Sequence, residues 1–566
     1  MKRKRASSTP IRPTSSSGSS SSSGNLMPLQ TMTMLRSMAP LVLLISPSLN
    51  YYSQAFCFEP QICRINIKHL CRINLHGRNH PLCAPYRKQQ LLITKQPHLL
   101  MTSYDNDNSD PNDNSGSILG ASLLYAGTAI GAGAIALPAE TVGAGFVPST
   151  FGLVLCWIFT FVTSMVTLEA SWLASTSSFS SASMYSENSV AGTDNHNSGG
   201  GDGGGFLSFS KMALGIPGEI ITASLFWFLL TAIIVAYTAE GGQLISQLVQ
   251  EVVASKDENV ILHPAIGSLL FASFFATLAN FGTASVDAIN RIFVSGLVLT
   301  FVLLVGECLP LVQISNLLSH SDWTKLYPPV ISIGILSLGA QNVVPTLLQY
   351  LKNDPIKTRQ AIFIGSLVPL LLYLIWEAIF LGVVDASTID GSTDVDVMSV
   401  LLGQIGGGSV SDSTIVSDLV EGFSFCAIGS SMAGASVSLV DFFQDGITIF
   451  NKYHDESSNV GQSLSGKDNS RLVATALALA PPVILAYAFP NIFLTALEEA
   501  GLLGGVSLYG ILPAISILSL HHFSSDKGRG QSGIMPGRLG GGEIALIALV
   551  GVSLALVLPE IRGLLG

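Results

Sequence analysis

Charged side chains are scarce in this sequence. Asp, Glu, Lys and Arg make up 11 % of the 566 residues, whereas hydrophobic residues make up 48 %. A soluble domain carries about 25 % charged residues, which cover its surface. So few charges exclude a soluble protein of this size and indicate a chain that is largely embedded in lipid.

Cysteine is also rare, with seven in the whole chain. None of them has the paired close spacing of a zinc site. Residues 117–566 lack HExxH, GxSxG, P-loop and paired CxxC motifs. We therefore predict no enzyme activity, no metal site and no cofactor. Only the front of the chain has more basic than acidic residues, so the body gives no indication of nucleic-acid binding.

The first 116 residues hold thirteen Lys or Arg and five acids, whereas the remaining residues hold fourteen and 32. Residues 1–55 combine a basic start, a short apolar stretch at 38–45 and small residues near the end, as in a cleaved signal peptide. Residues 56–100 are acid-poor and basic, which is typical of a transit segment. Residues 101–116 are polar and are predicted to be a flexible linker.

A signal peptide followed by a transit segment resembles the bipartite presequences of algae whose plastids came from a eukaryotic endosymbiont. This resemblance predicts a multi-pass protein of a plastid membrane, specifically the inner envelope. Another organelle or the plasma membrane is the alternative location. The other interpretation of this region is a disordered basic tail that contains a chance apolar patch.

Long apolar runs recur after residue 117, each close to the roughly 20 residues that a helix needs to cross a bilayer. We number them spans 1 to 11. The predicted spans are 117–138, 146–173, 219–250, 262–281, 288–311, 327–350, 360–384, 416–443, 471–489, 500–520 and 543–563. Connections after the even-numbered spans, with their flanks, hold eleven of the fourteen basic residues, so the N-terminus is predicted on the positive side. Residues 117–566 are thus predicted to form one all-α transmembrane domain.

Spans 1 and 6 are interrupted by helix-breaking residues. Residues 126–138 read AGTAIGAGAIALP, and residues 337–345 read SLGAQNVVP. Irregular backbone is tolerated at membrane depth only where it is buried in protein or lines a cavity. Two interrupted helices five spans apart therefore indicate an inverted repeat with a binding site between the breaks. For span 1, the alternative is a face of small residues that serves helix packing.

The motif at 126–138, followed by Gly-Ala-Gly-Phe at 143–146, resembles the opening signature of the tryptophan/tyrosine permeases. This is the hydroxy and aromatic amino acid permease family of the amino acid-polyamine-organocation superfamily. Further segments agree in order, at 236–237, 282–287, 290–291, 344–346, 364–369, 373–376, 441–442 and 496–501. The resemblance covers roughly residues 117–520. It implies a leucine-transporter-like fold of about 11 transmembrane helices, in a 5+5 inverted repeat plus one extra helix, and proton-coupled symport of tyrosine, tryptophan or phenylalanine.

The two breaks supply most of the predicted substrate-binding residues. The substrate carboxylate is predicted to bind the span 1 backbone, because freed N–H groups attract anions. Span 6 side chains are predicted to bond the substrate amine or a ring hydroxyl, and a span 3 tyrosine to close over the ligand or, alternatively, to pack between helices. The predicted residues are Gly127, Thr128, Ala129, Ile130, Gly131, Ala132, Gly133, Tyr237, Gln341 and Asn342.

Glu240 and Glu377 lie well inside spans 3 and 7. A charge at the bilayer centre costs about 2.5–3.5 kcal/mol on insertion scales, so an acid there requires an explanation. We predict that these two carboxyl groups couple transport to protons. The alternatives are a structural hydrogen bond at each position, and coupling to sodium instead.

Two other functions remain open from the sequence. The same fold could carry another neutral amino acid, with proton or sodium coupling. It could also act as a sensor that binds an amino acid without moving it, although a sensor usually carries a substantial soluble output region. Uptake by reconstituted vesicles distinguishes a carrier from a sensor.

Overall fold

The computed structural model describes residues 116–185, 205–254, 264–281, 283–384, 410–457, 467–526 and 542–565. Throughout these ranges the regular structure is helical, and they contain no β-strand. The predicted signal peptide (1–55), the transit segment (56–100) and nearly all of the linker (101–116) lie outside the described residues, so they stay predictions.

Every predicted span corresponds to a helix or to a broken pair of helices. Span 1 consists of two half-helices, 1a (Ile118–Ala129) and 1b (Gly133–Thr141), and span 6 contains half-helices 6a (Ile331–Ser337) and 6b (Val344–Tyr350). The other spans are Phe146–Tyr185 (span 2), Phe206–Ala254 (3), Pro264–Phe281 (4), Thr283–Cys308 (5), Pro355–Val383 (7), Val410–Ser457 (8), Lys467–Ala488 (9), Phe493–Asp526 (10) and Gly542–Leu565 (11).

The lengths of these helices support the membrane assignment. Among the described residues, nine helices are long and apolar enough to cross a bilayer, and the bent pair 1a and 1b makes ten. The apolar helix Ala265–Phe281 accounts for span 4. The predicted fold class is confirmed, since the described chain is all-helical, its helices match the eleven spans, and a broken helix opens each five-helix half.

The break in span 1 follows from its sequence. Half-helices 1a and 1b meet at an angle of 53°. Ile130, which follows 1a, has extended backbone angles (φ −83°, ψ 115°), so the helix cannot continue through it. After 1b, Gly145 adopts a φ of +85° and lies so close to the His320 carbonyl that a Cβ there would collide with it. Glycine at this position therefore allows the chain to turn sharply into span 2.

Span 3 begins earlier than the sequence suggested. The helix runs from Phe206, but Gly215 has non-helical angles (φ 70°, ψ −156°), and Pro217 follows it. The kink divides a short first segment from the membrane helix that was predicted at 219–250. The prediction was correct for the segment after the kink and missed the helical turns that precede it.

Span 10 contains a π-helix of twelve residues, Ala500–Ile511. π-helices are rare and usually extend for a single turn. Glycines let this segment approach its neighbours closely, because a Cβ on Gly501 would collide with the Ser332 carbonyl of 6a, and one on Gly504 would press against Leu229 of span 3. Span 10 thus packs directly against half-helix 6a and span 3.

Arg471 connects three helices on the side of the membrane that is predicted to be positive. Its Nε donates to the Ala279 carbonyl near the end of span 4 (3.0 Å), and its Nη1 donates to Gln444 Oε1 of span 8 (3.0 Å). Its Nη2 lies 3.2 Å from Asp441 Oδ1. A planar guanidinium can make these contacts at once, so Arg471 holds spans 4, 8 and 9 together.

Replacing Arg471 by alanine is expected to lower the free energy of unfolding by about 1–3 kcal/mol, because Gln444 and a helix-end carbonyl both lose their donor and Asp441 loses its ion-pair partner. The measurement is thermal unfolding in detergent. Lys211→Ala is the matched control, since the Lys211–Glu219 ion pair is more exposed (60 % and 37 %) and exposed pairs contribute little. Equal thermal shifts in the two variants would contradict the assigned role of Arg471.

Candidate functional site

The two broken helices touch each other at their breaks. A Cβ on Gly133, at the start of 1b, would collide with the Oγ and Cβ of Ser337, the last residue of 6a. A Cβ on Gly131 would collide with Ser431 Oγ of span 8. Glycine is therefore required at both positions, because other helices approach the span 1 backbone more closely than a side chain allows. The break is packed inside the bundle, where its backbone needs polar partners.

Hydroxyl groups supply those partners. The N–H of Ala132 donates to Ser431 Oγ at 3.1 Å, and the N–H of Gly131 donates to the Tyr373 hydroxyl over a longer distance of 3.4 Å. Tyr373 in turn donates its proton to the Ala129 carbonyl at 2.9 Å. Two successive backbone N–H groups thus point at two oxygen acceptors, which is the number of acceptor oxygens in a carboxylate.

Tyr237 lies beside the same cluster. Its side chain is 8 % exposed, and its hydroxyl interacts with that of Ser431. Span 3 therefore approaches the span 1 break on the side of span 8. The action of Tyr237 on a ligand stays a prediction.

Pro138 opens a gap in the hydrogen bonding of 1b that span 7 fills. Proline has no N–H, so the carbonyl of Ala134, four residues earlier, loses its helical donor. The indole N–H of Trp376 donates to that carbonyl at 2.6 Å. Trp376 is fully buried and packs against Phe301 and Phe423. Span 7 thus replaces the missing backbone bond and holds 1b in place.

Trp376→Phe is expected to lower the free energy of unfolding by about 1–3 kcal/mol, because the Ala134 carbonyl is left buried without a donor. Thermal unfolding in detergent measures this loss. Trp157→Phe is the control, since Ser366, which accepts the Trp157 N–H, also bonds the Phe363 carbonyl and remains satisfied. A Trp376→Phe variant as stable as Trp157→Phe would contradict the role of the indole.

Glu377 contacts the far end of 1b. The side chain is fully buried, and its Oε2 lies 2.5 Å from the Thr141 hydroxyl. Thr141 Oγ1 also lies 2.8 Å from the Leu137 carbonyl. Glu377 Oε1 has no hydrogen-bond partner among the described residues. Glu240, the other predicted coupling residue, is half-buried in span 3.

The other predicted substrate residues occupy different surroundings. Gly127 and Thr128 are exposed on 1a, where Thr128 bonds the Leu124 carbonyl of its own helix. Gln341 is buried and turned toward span 2, with its Nε2 donating to Thr163 Oγ1 at 2.8 Å. Asn342 is exposed. The structure thus gathers the backbone from Ala129 to Gly133 with Tyr237, and it leaves Gly127, Thr128, Gln341 and Asn342 outside this cluster.

Four side chains at the break were absent from the predicted site: Ser337, Tyr373, Trp376 and Ser431. Tyr373 and Trp376 belong to a segment that carries the family resemblance, so their motif was a usable signal. Ser337 begins the interrupted segment of span 6, although its hydroxyl had no separate signal. Ser431 resembles every other serine of a membrane helix, and its partner lies 299 residues away in the chain.

Comparison with known proteins matches this chain to a family of amino acid permeases. The model of the tryptophan/tyrosine permease family matches residues 114–558. The tyrosine-specific transport system 2 of Haemophilus influenzae is 26 % identical over 441 residues, which cover 77 % of this chain and 95 % of that protein. The tryptophan-specific transport protein of Pseudomonas aeruginosa is 26 % identical over 462 residues, covering 79 % and 97 %.

Among solved structures, one described as the inward-facing conformation of Mhp1 is similar, with a TM-score of 0.46 and 12 % identity. The similarity covers 81 % of this chain and 94 % of that chain. The family match, which spans most of the sequence, confirms the prediction of a transporter rather than an enzyme. This chain belongs to the tryptophan/tyrosine permease family.

Proposed function

We propose that this protein carries an aromatic amino acid across a lipid bilayer and binds the substrate carboxylate at the break of span 1. The pair of N–H groups at Gly131 and Ala132, which face only neutral hydroxyl acceptors, is the observation that carries the proposal. Successive N–H groups at the start of a helix form a binding site for anions. The names of the bacterial relatives support tyrosine or tryptophan as the cargo.

We propose that transport is coupled to protons through Glu377. Thr141 has one hydroxyl proton and two close acceptors, the Leu137 carbonyl and Glu377, with the Pro138 carbonyl farther away at 3.4 Å. A protonated Glu377 donates to Thr141, which then donates to Leu137. An ionised Glu377 accepts the hydrogen bond from the Thr141 hydroxyl, so the Leu137 carbonyl loses its hydrogen bond from Thr141. Protonation of Glu377 therefore changes a hydrogen bond inside 1b, the half-helix that begins at the proposed substrate site.

Glu240 is the second candidate for proton coupling. It follows Tyr237 by three residues, so the two side chains can share one face of span 3. Because Tyr237 lies close to Ser431 beside the break, a charge change at Glu240 can reach the same cluster. Comparing Glu240→Gln with Glu377→Gln separates the two candidates, since only a coupling residue alters the response to a pH gradient.

The transport proposal is tested with the full chain reconstituted in proteoliposomes. Labelled tyrosine, tryptophan, phenylalanine and leucine are offered under an inward pH gradient, which a protonophore then collapses. We expect gradient-dependent uptake of the aromatic amino acids and little uptake of leucine. Uptake that requires sodium and ignores pH would retain the carrier and contradict proton coupling. Binding without uptake would favour a sensor.

We propose a plastid inner-envelope location from the composition of residues 1–100, and the bacterial relatives provide no support for it. The test is a fluorescent protein that carries residues 1–116 at its N-terminus, expressed in an alga with an endosymbiont-derived plastid. Fluorescence in the plastid is expected. Retention in the secretory pathway or delivery to the plasma membrane would contradict the proposal.

A further inference from the structure

Ser337 has an unusual environment for a serine in a membrane protein. Its side chain is 5 % exposed, and its hydroxyl has no hydrogen-bond partner among the described residues. Serines in helices usually bond a carbonyl of the preceding turn, as Ser332 of the same half-helix does with Pro329. A buried hydroxyl without a partner loses free energy, so its presence requires an explanation.

The position of Ser337 beside the break explains why a hydroxyl is present there. Its Oγ is the atom that a Cβ on Gly133 would meet first, so the hydroxyl lies against the first residue of 1b. This is the positive end of the 1b dipole, and the N–H groups of Gly131 and Ala132 precede it directly. The Ser337 hydroxyl, which has no partner among the described residues, therefore lies next to the backbone segment that carries the N–H groups of Gly131 and Ala132.

A carboxylate can replace the hydroxyl oxygens that accept from those two N–H groups. Ser431 accepts from Ala132 with a neutral oxygen, and the Tyr373 oxygen is 3.4 Å from Gly131 N. Hydrogen bonds to a carboxylate are shorter and roughly twice as strong as those between neutral groups. A substrate carboxylate can thus take the place of both hydroxyls. Tyr373 keeps its hydrogen bond to the Ala129 carbonyl, and Ser431 lies close enough to Tyr237 for the two hydroxyls to interact.

We propose that Ser337 and Ser431 recognise the carboxylate of the transported amino acid, each by donating its hydroxyl proton to it. This inference rests on the proposed function and assigns two specificity residues to it. Ser431 accepts from the Ala132 N–H, and Ser337 has no hydrogen-bond partner among the described residues. When the substrate binds, its two oxygens accept from the backbone N–H groups and from both serines. A ligand that has no oxygen at this position gains none of these bonds.

The test uses the purified full chain in detergent and three probes: L-tyrosine, L-tyrosinamide and tyramine. The last two lack the carboxylate. Ser337→Ala and Ser431→Ala are each expected to bind tyrosine about tenfold or more weakly than the wild type, the usual effect of losing a hydrogen bond to a charged group. Their weak binding of tyramine, which has no oxygen at that position, is expected to stay unchanged. Their binding of tyrosinamide, whose amide oxygen is a neutral acceptor, is expected to fall less than that of tyrosine.

Two serines serve as matched controls, because each is buried and bonds only a carbonyl of the preceding turn. Ser332 lies in 6a and bonds Pro329, and Ser436 lies in span 8 and bonds Ala433. Ser332→Ala and Ser436→Ala are expected to bind tyrosine like the wild type. Ser337→Ala should unfold without ligand at or above the wild-type temperature, since it removes a buried hydroxyl that has no partner, and show a reduced stabilisation by tyrosine.

The outcomes separate this inference from the proposed function. Wild-type affinity for tyrosine in both Ser337→Ala and Ser431→Ala would overturn the assignment and leave the transport proposal intact. An equal loss of tyrosine and tyramine binding would also overturn it, because it would indicate damage to the whole pocket. A wild-type protein that binds none of tyrosine, tryptophan and phenylalanine would overturn both.

Discussion

Glu377→Gln is expected to abolish the accumulation of tyrosine that an inward pH gradient drives, while tyrosine exchange between equal pH values continues. A glutamine amide donates to Thr141 as a protonated carboxyl does, so the variant is locked in one hydrogen-bonded state. A gradient of one pH unit provides about 1.4 kcal/mol per proton, or about tenfold accumulation. The expected loss is therefore the whole of that accumulation, measured as the steady-state ratio of labelled tyrosine across the vesicle membrane.

Glu219→Gln is the control for this experiment. Glu219 is also an acid on a membrane helix, but it is only partly buried and pairs with Lys211 at 3.0 Å. Its loss should leave gradient-driven accumulation at the wild-type level. If Glu377→Gln still accumulates tyrosine in response to the gradient, Glu377 has only a structural role, and Glu240 becomes the remaining candidate.

Gly133→Ala is expected to reduce the rate of tyrosine uptake by about tenfold or more. A displacement of about 1 Å in a functional site can lower its rate by about 100-fold. The added methyl would collide with both the Oγ and the Cβ of Ser337, and the Ser337 Cα is also close. Rotation of the serine cannot remove a collision with its Cβ, so half-helices 1b and 6a must separate. That movement displaces the N–H groups of the break. Initial uptake rates in proteoliposomes measure the effect.

The same substitution at Gly434 provides the control. Gly434 lies in span 8, it is exposed, and a Cβ there would have no neighbour within 4 Å. Gly434→Ala should transport at the wild-type rate and be slightly more stable, because glycine inside a helix costs about 0.5–1 kcal/mol relative to alanine. Wild-type uptake by Gly133→Ala would show that the close contact of 1b with 6a is unnecessary for transport.

The spans and both breaks could be predicted from the sequence because their causes are local. A bilayer of fixed thickness demands apolar helices of a set length, and closely spaced glycine and proline weaken a helix locally. The bounds were least accurate for spans 2, 3, 8 and 10, whose helices extend beyond the predicted ends. Span 10 was predicted to begin at residue 500, whereas the helix starts at Phe493 and buries Glu499.

The candidate site was only partly predictable. The backbone from Ala129 to Gly133 could be selected because it lies in the break itself. The orientation of the Gln341 side chain could not be predicted. The sequence places this residue in span 6 but does not show that it donates to Thr163 of span 2. A residue inside a break can face any of several neighbouring helices, and packing decides among them.

By itself, the sequence determined that this protein is a membrane transporter with two broken helices, because hydrophobic length, helix breakers and family motifs are properties of short segments. Only the tertiary structure decided which groups complete those breaks. Trp376 supplies the donor that Pro138 removes, and Ser431 meets the N–H of Ala132 from 299 residues away. The physical reason is that freed backbone groups inside a bilayer must find partners on other helices, and the helices that can supply them are set by packing.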